Sequence, residues 1–246
     1  MTTLSAWKAR LRRLAAAEPR AYLRFLLAER LARLVYPKYI FGEYGRSWLD
    51  DRAFLAQYDR VSPKDRHHAD RKFLLRSLLK LVENVPGDTA ECGVYEGASS
   101  YFICRYANGT RTHHMFDSFE GLPAPQQADG RFWAAGDFAS PEEKARRNLA
   151  EFPRLKFYKG WIPATFADVP AGISFAFVHV DVDLYEPTKD VLEFFYPRLS
   201  SGAVVVCDDY GFGFCPGATQ ACDEFLADKP ENIVHAPTGQ GFFIKR

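Results

Sequence analysis

Apolar positions follow two different rhythms along this chain, and the change between them divides it. In the first third they fall three and four residues apart. Leu4, Trp7, Leu11 and Leu14 would share one face of a helix. Pro19 interrupts that run, and a second apolar and basic helix is predicted over about 20–36. Residues 37–45, punctuated by Pro and Gly, read as a loop. Ser62-Pro63 has the form of a helix start, a capping hydroxyl followed by Pro at the first position. The helix predicted from there runs through Phe73, Leu74, Leu78 and Leu81 towards Pro86-Gly87.

From Asp88 onward, strand-sized apolar runs alternate with amphipathic ones. Strands are predicted over 89–94, 112–116, 155–158, 173–180 and 203–207, with helices over 98–106, 141–151, 187–196 and 217–227. Ser140 and Glu143 have capping-box spacing. Two short strands, 232–235 and 241–245, close the chain as a hairpin around Pro237-Thr238-Gly239. This alternation predicts an α/β fold: a mostly parallel sheet with helices on both faces and an antiparallel C-terminal end. Residues 1–84 form a helical N-terminal extension on this reading, and 85–246 the sheet domain. In an open parallel sheet, ligands gather beyond the carboxyl ends of the strands, near the switch in strand order. The residues just after each strand therefore carry the candidate chemistry.

The first strand runs into Glu91-Cys92-Gly93-Val94-Tyr95-Glu96-Gly97, where glycines permit a tight turn and a close ligand. It is neither a GxGxxG turn nor a Walker loop. The second strand ends at Asp117-Ser118-Phe119, where an acid could accept from both ribose hydroxyls or simply cap a turn. The third ends at Lys159-Gly160-Trp161, with Trp161 either stacked on adenine or covering the core. The fourth carries His179-Val180-Asp181-Val182-Asp183-Leu184-Tyr185, in which His179, Asp181 and Asp183 share a side while the strand continues. The fifth ends in Asp208-Asp209. Carboxylates crowded at neighbouring strand tips repel and raise one another's pKa unless a cation joins them. All-oxygen ligation suits Mg²⁺ or Mn²⁺ better than zinc; ordinary acidic loop caps are the alternative.

These segments together resemble the macrocin O-methyltransferase family, whose relatives methylate sugar hydroxyls in antibiotics and other glycosylated molecules. The likeness covers about 88–246. It rests on Glu91-x-Gly93-x-x-x-Gly97, Asp117-Ser118-Phe119-x-Gly121-Leu122-Pro123, Lys159-Gly160-Trp161, Asp181-x-Asp183-Leu184-Tyr185-x-x-Thr188, Tyr196-Pro197-x-Leu199-Ser200-x-Gly202 and Asp208-Asp209-Tyr210-Gly211. The resemblance implies a Rossmann-like class I methyltransferase fold that uses S-adenosylmethionine and Mg²⁺. It implies that Asp181, Asp208 and Asp209 hold the metal and that Asp183 is the general base. Some relatives place a His a little further on in that role, and no His closely follows Asp183 here. Candidate cofactor contacts are Glu91, Gly93, Tyr95, Glu96, Gly97, Ser99, Asp117, Ser118, Phe119, Gly160, Trp161 and Asp181. The expected partner is a small acceptor, a sugar or glycoside.

Composition changes this picture in three places. The net charge of +1 argues against a nucleic-acid binder built on bulk electrostatics. Residues 1–40 nonetheless carry nine Lys and Arg against two Glu, a net of +7, which leaves −6 on the remainder. That basic start reads as a helical arm packed on a second copy of the chain, with peripheral contact to an anionic membrane as the alternative. Five cysteines without a CxxC pair argue against a disulfide framework or zinc knuckle. With neither a membrane-length apolar run nor a secretory leader pattern, a cytoplasmic location is expected.

The stretch between Phe119 and Ser140 is long enough to be a lid, with Arg131, Trp133 and Asp137 as candidate contacts. Two rivals remain at this stage. A nicotinamide-dependent sugar oxidoreductase would need the missing GxGxxG turn. A non-catalytic scaffold would have no need of intact acidic pairs.

Overall fold

The computed structural model describes residues 19–37, 47–63, 66–107 and 109–246. The runs after Pro86 become seven strands: β1 (Asp88–Cys92), β2 (His113–Asp117), β3 (Leu155–Lys159), β4 (Phe175–Val180), β5 (Leu199–Cys207), β6 (Val234–His235) and β7 (Gly241–Ile244). Their order across one sheet is β3-β2-β1-β4-β5-β7-β6. The first five strands pair in parallel, and β7 lies antiparallel to both β5 and β6. The order reverses between β1 and β4, which defines the switch point.

The side-chain pattern explains why both faces are covered. β4 is buried along its whole length, as a central parallel strand must be. In β5, Val204 and Val206 pack with Leu75, Leu78 and Leu79, whereas Val205 and Cys207 pack with Val191, Leu192 and Cys222. The helices are α1 (Pro19–Val35), α2 (Arg52–Val61), α3 (Ala69–Leu78), α4 (Ala98–Tyr106), α5 (Glu142–Asn148), α6 (Tyr185–Phe195) and α7 (Pro216–Leu226). α6 and α7 cover one face of the sheet, and residues of α2 to α5 cover the other.

Three expectations need correction. Ser62-Pro63 does not start a helix: Ser62 closes α2, its amide donating to the Tyr58 carbonyl at 2.8 Å, and α3 begins only at Ala69. α2 is capped instead by Asp51, whose carboxylate accepts from the Phe54 amide at 2.9 Å, and it buries Phe54, Tyr58 and Val61. Ser140 and Glu143 form no capping box. Pro141 occupies the cap in an extended conformation, so the Ser140 hydroxyl sits one residue too early and lies buried without a partner. Finally, the compact sheet unit is Trp48–Arg246 and the other unit is Met1–Ser47, so the expected boundary at 84/85 moves to 47/48. Trp48, Phe54 and Tyr58 pack with Tyr101, Phe102 and Leu149, which makes α2 and α3 a layer of the sheet unit.

The second predicted helix is α1. The first, at Leu4–Leu14, lies outside the described residues. Among the described residues no helix is long and apolar enough to cross a membrane.

Candidate active site

Two strand ends touch at the switch point. Gly93 follows β1 with φ +85°, and a Cβ there would fall inside the carbonyl of Asp181, the residue just after β4. Gly97, at φ +82°, opens α4 close against Ala145. The turn between them is held by Asp117. One of its oxygens accepts from the Val94 and Tyr95 amides, both at 2.7 Å, and the other accepts from Phe119 at 2.6 Å. Three of its roughly four lone-pair sites are thus engaged, which leaves about one for a ligand hydroxyl.

A cavity of about 680 Å³ opens beyond the carboxyl ends of β1, β2 and β4. Gly93, Tyr95, Ser99, Asp117, Ser118, Gly160 and Trp161 line it from the glycine-turn side; Asp181, Asp183 and Asp209 line it from the acidic side. Five expected residues do not. Glu91 is fully buried, because the side chain that alternates away from the Cys92 face meets His179 and the Ser100 hydroxyl. Glu96 turns to the Lys144 ammonium at 2.8 Å. Gly97 acts through the backbone of α4, and Phe119 packs beside the Tyr101–Phe102 cluster. Asp208 lies behind the cavity wall, completely buried.

The acids divide into an interior network and an open group. His179 bridges Glu91 (2.8 Å) and Asp208 (3.1 Å). Burial alone would discharge this imidazole, but bonds to Asp208 and Glu91 raise its pKa to about 10. Burial likewise opposes the Glu91 charge, yet His113 and His179 bring its pKa down to about 2. Asp208 is held well below the usual carboxylate range, because Lys72, Arg71 and His179 outweigh its burial. The open group behaves in the opposite way. Burial, then the nearby Asp208, raise Asp181; burial raises Asp183 as well; burial, then Asp181 and Asp183, raise Asp209. Asp183 also adopts φ +59°, so the chain bends out of the strand and Asp183 no longer continues the face of Asp181.

One carboxylate oxygen each from Asp181, Asp208 and Asp209 lies within 4.8 Å of the others. This donor set is all-oxygen and fits a hard divalent cation. The charge count agrees. If all five carboxylates (Glu91, Asp181, Asp183, Asp208, Asp209) were ionised they would outnumber the three bases (Arg71, Lys72, His179) by two, an imbalance that keeps Asp181, Asp183 and Asp209 raised in pKa and that a bound cation would relieve.

Other residues of the site escaped the sequence reading. Asp129, buried in the predicted lid, accepts from the Tyr185 amide at 2.6 Å and so caps α6. The segment is therefore pinned across the acidic side. Aromatic rings from that segment and from the loop before α7 meet at the rim: Phe132 stacks on Phe214 at 4.3 Å, and Phe138 touches both Trp133 and Tyr95. The Arg131-Phe132-Trp133 run was the available signal; nothing local marked Phe214.

A seven-stranded sheet in this order, with a glycine turn and an acid at the ends of β1 and β2, defines a class I methyltransferase fold. Residues 73–238 match the macrocin-O-methyltransferase (TylF) family, and the chain belongs to it. Among its relatives, the 8-demethyl-8-(2,3-dimethoxy-alpha-L-rhamnosyl)-tetracenomycin-C 4'-O-methyltransferase of Streptomyces olivaceus is 36% identical over 153 residues, which cover 56% of this chain and 58% of that protein. The demethyldecarbamoylnovobiocin O-methyltransferase of Streptomyces niveus is 34% identical over 163 residues, 58% of this chain and 60% of that one. The matched stretch thus spans less than two thirds of either relative. The solved structure of the O-methyltransferase NovP superposes with a TM-score of 0.58 at 29% identity, covering 77% of this chain and 88% of that chain.

Proposed function

We propose that this protein transfers the methyl group of S-adenosylmethionine to a hydroxyl of a sugar or glycosylated small molecule, with help from Mg²⁺ or Mn²⁺. What supports it is the meeting, on one cavity, of the glycine turn after β1 with the acidic tips of β4 and β5. By their own descriptions, the first named relative methylates a rhamnosyl-bearing compound and the second methylates demethyldecarbamoylnovobiocin.

Gly93, Tyr95, Ser99, Asp117, Ser118 and Trp161 would hold the cofactor, which supplies a methyl group on a good leaving group. Asp181, Asp208 and Asp209 would hold the divalent ion, which supplies Lewis-acid polarisation of the acceptor. Asp183 takes the acceptor proton on a carboxylate oxygen as the new C–O bond forms. Its raised pKa makes it a stronger base than an exposed Asp. The chain's main task is alignment of oxygen, methyl and sulfur. Phe132, Phe138, Phe214 and Trp161 remain between 40% and 57% exposed around the cavity, an unusual concentration of apolar rings that suits the face of a sugar or its aglycone.

The test is methyl transfer from labelled S-adenosylmethionine to a panel of glycosides and sugar nucleotides, with Mg²⁺ or with chelator. Labelled product that depends on the ion is expected. Cofactor binding without transfer to any sugar would overturn the acceptor, and full activity in chelator would remove the ion.

On α1, Leu27, Leu31 and Leu34 are exposed at helical spacing, which supports self-association through this segment. Sedimentation tests it, and flotation with anionic vesicles tests the membrane alternative. The five thiols are all free, which supports a cytoplasmic location.

A further inference from the structure

α3 delivers two adjacent bases, Arg71 and Lys72, to the acidic strand tips, and both are 7% exposed. They are held very differently. The Arg71 guanidinium lies 2.6 Å from Asp208 Oδ2, donates to the Asp208 carbonyl at 2.6 Å, reaches Asp209 Oδ1 at 3.3 Å, and stacks over the Phe212 ring at 4.1 Å. The Lys72 ammonium lines the cavity and stands 4.0 Å from the same Asp208 Oδ2. Asp208 Oδ1 is engaged by His179 at 3.1 Å and Gln240 at 2.5 Å. Oδ2 is buried and accepts no hydrogen bond of good geometry, although two cations face it. That oxygen is held by charge and not by directed hydrogen bonds, which leaves its lone pairs open to a metal ion.

We infer that the Lys72 ammonium is the resident counter-cation of this acid cluster, and that a divalent ion enters by displacing it while Arg71 stays in place. The inference rests on the proposed ion site. Arg71 is fixed by planar, multiple contacts, whereas an ammonium on a flexible four-carbon stem can withdraw. The cluster therefore keeps its shape without the ion, and Lys72 competes with the ion for the carboxylate charge of Asp208. Lys72 lies just outside the stretch 73–238 matched to the family.

The test uses the full chain with Lys72→Met and Lys72→Arg, Mn²⁺ binding followed by electron paramagnetic resonance, and thermal unfolding in EDTA and in Mg²⁺. Lys72→Met should bind Mn²⁺ at least tenfold more tightly than the parent, with a larger rise in Tm on adding Mg²⁺. Lys72→Arg should restore the parent affinity. Equal or weaker binding by Lys72→Met would overturn the inference and leave the ion site intact. Absence of Mn²⁺ binding by all three proteins would overturn the ion site and the inference together. If Lys72→Met does not fold in EDTA, recovery in Mg²⁺ supports displacement, and failure to recover overturns it.

Discussion

Two groups of carboxylates lie a few ångströms apart and lead opposite lives. Glu91 and Asp208 are closed around His179, buried, and low in pKa. Asp181, Asp183 and Asp209 face the cavity, lack cations enough to neutralise them, and are raised in pKa. The residue types are the same. What differs is the balance of charge around each: His179, Arg71 and Lys72 offset the first pair, and too few cations are left for the second group. A satisfied buried network specifies structure, and an unsatisfied one facing a cavity is where chemistry is expected.

The sharpest way to break this contrast is Asp183→Asn, which keeps the shape and removes the proton acceptor. Turnover should fall roughly 10²–10⁴-fold while affinity for S-adenosylhomocysteine barely moves. Steady-state kinetics with calorimetry on the same preparation would check it, and unchanged kcat would reassign the base. On the closed side, Glu91→Gln leaves the His179 cation with one carboxylate fewer. The expected result is a stability loss of about 3–5 kcal/mol in denaturant titration. A loss below about 1 kcal/mol would mean that the interior network contributes little.

Acid should act through the same group. The Glu91 pKa falls from 4.5 to about 2 on folding. Its stabilisation is therefore complete above pH 4.5 and lost as the pH drops from there towards 2. Glu91→Gln should flatten the stability profile in that window by up to about 3 kcal/mol. The smallest effect is expected at the rim, where Phe132→Ala should raise the acceptor KM up to about tenfold, or ~1.4 kcal/mol, with kcat nearly kept. An unchanged KM would move the acceptor away from the aromatic rings.

Much of this contrast was legible in the sequence, because strand periodicity and acids at strand ends are local signals. Asp181, Asp183 and Asp209 could be placed from their own neighbourhoods. Glu91 could not, since its partner His179 is 88 residues away and a period of two does not say which face holds the ligand. The Arg71 contact with Asp208 spans 137 residues, and only the folded sheet joins them. The misread helix start has a local cause. Ser-Pro can open a helix or follow one, and Phe54, Tyr58 and Val61 were the missed sign that a helix had already run.

The crowding at Gly93 has a mechanical result. Where the main chain after β1 rests directly on the Asp181 carbonyl, no side chain can serve as a cushion between the two strand ends. The pocket half proposed for the methyl donor and the half proposed for its acceptor are therefore registered backbone to backbone. Neither can drift by a rotamer change alone, so the line from sulfur to oxygen would be fixed by the scaffold before either molecule arrives.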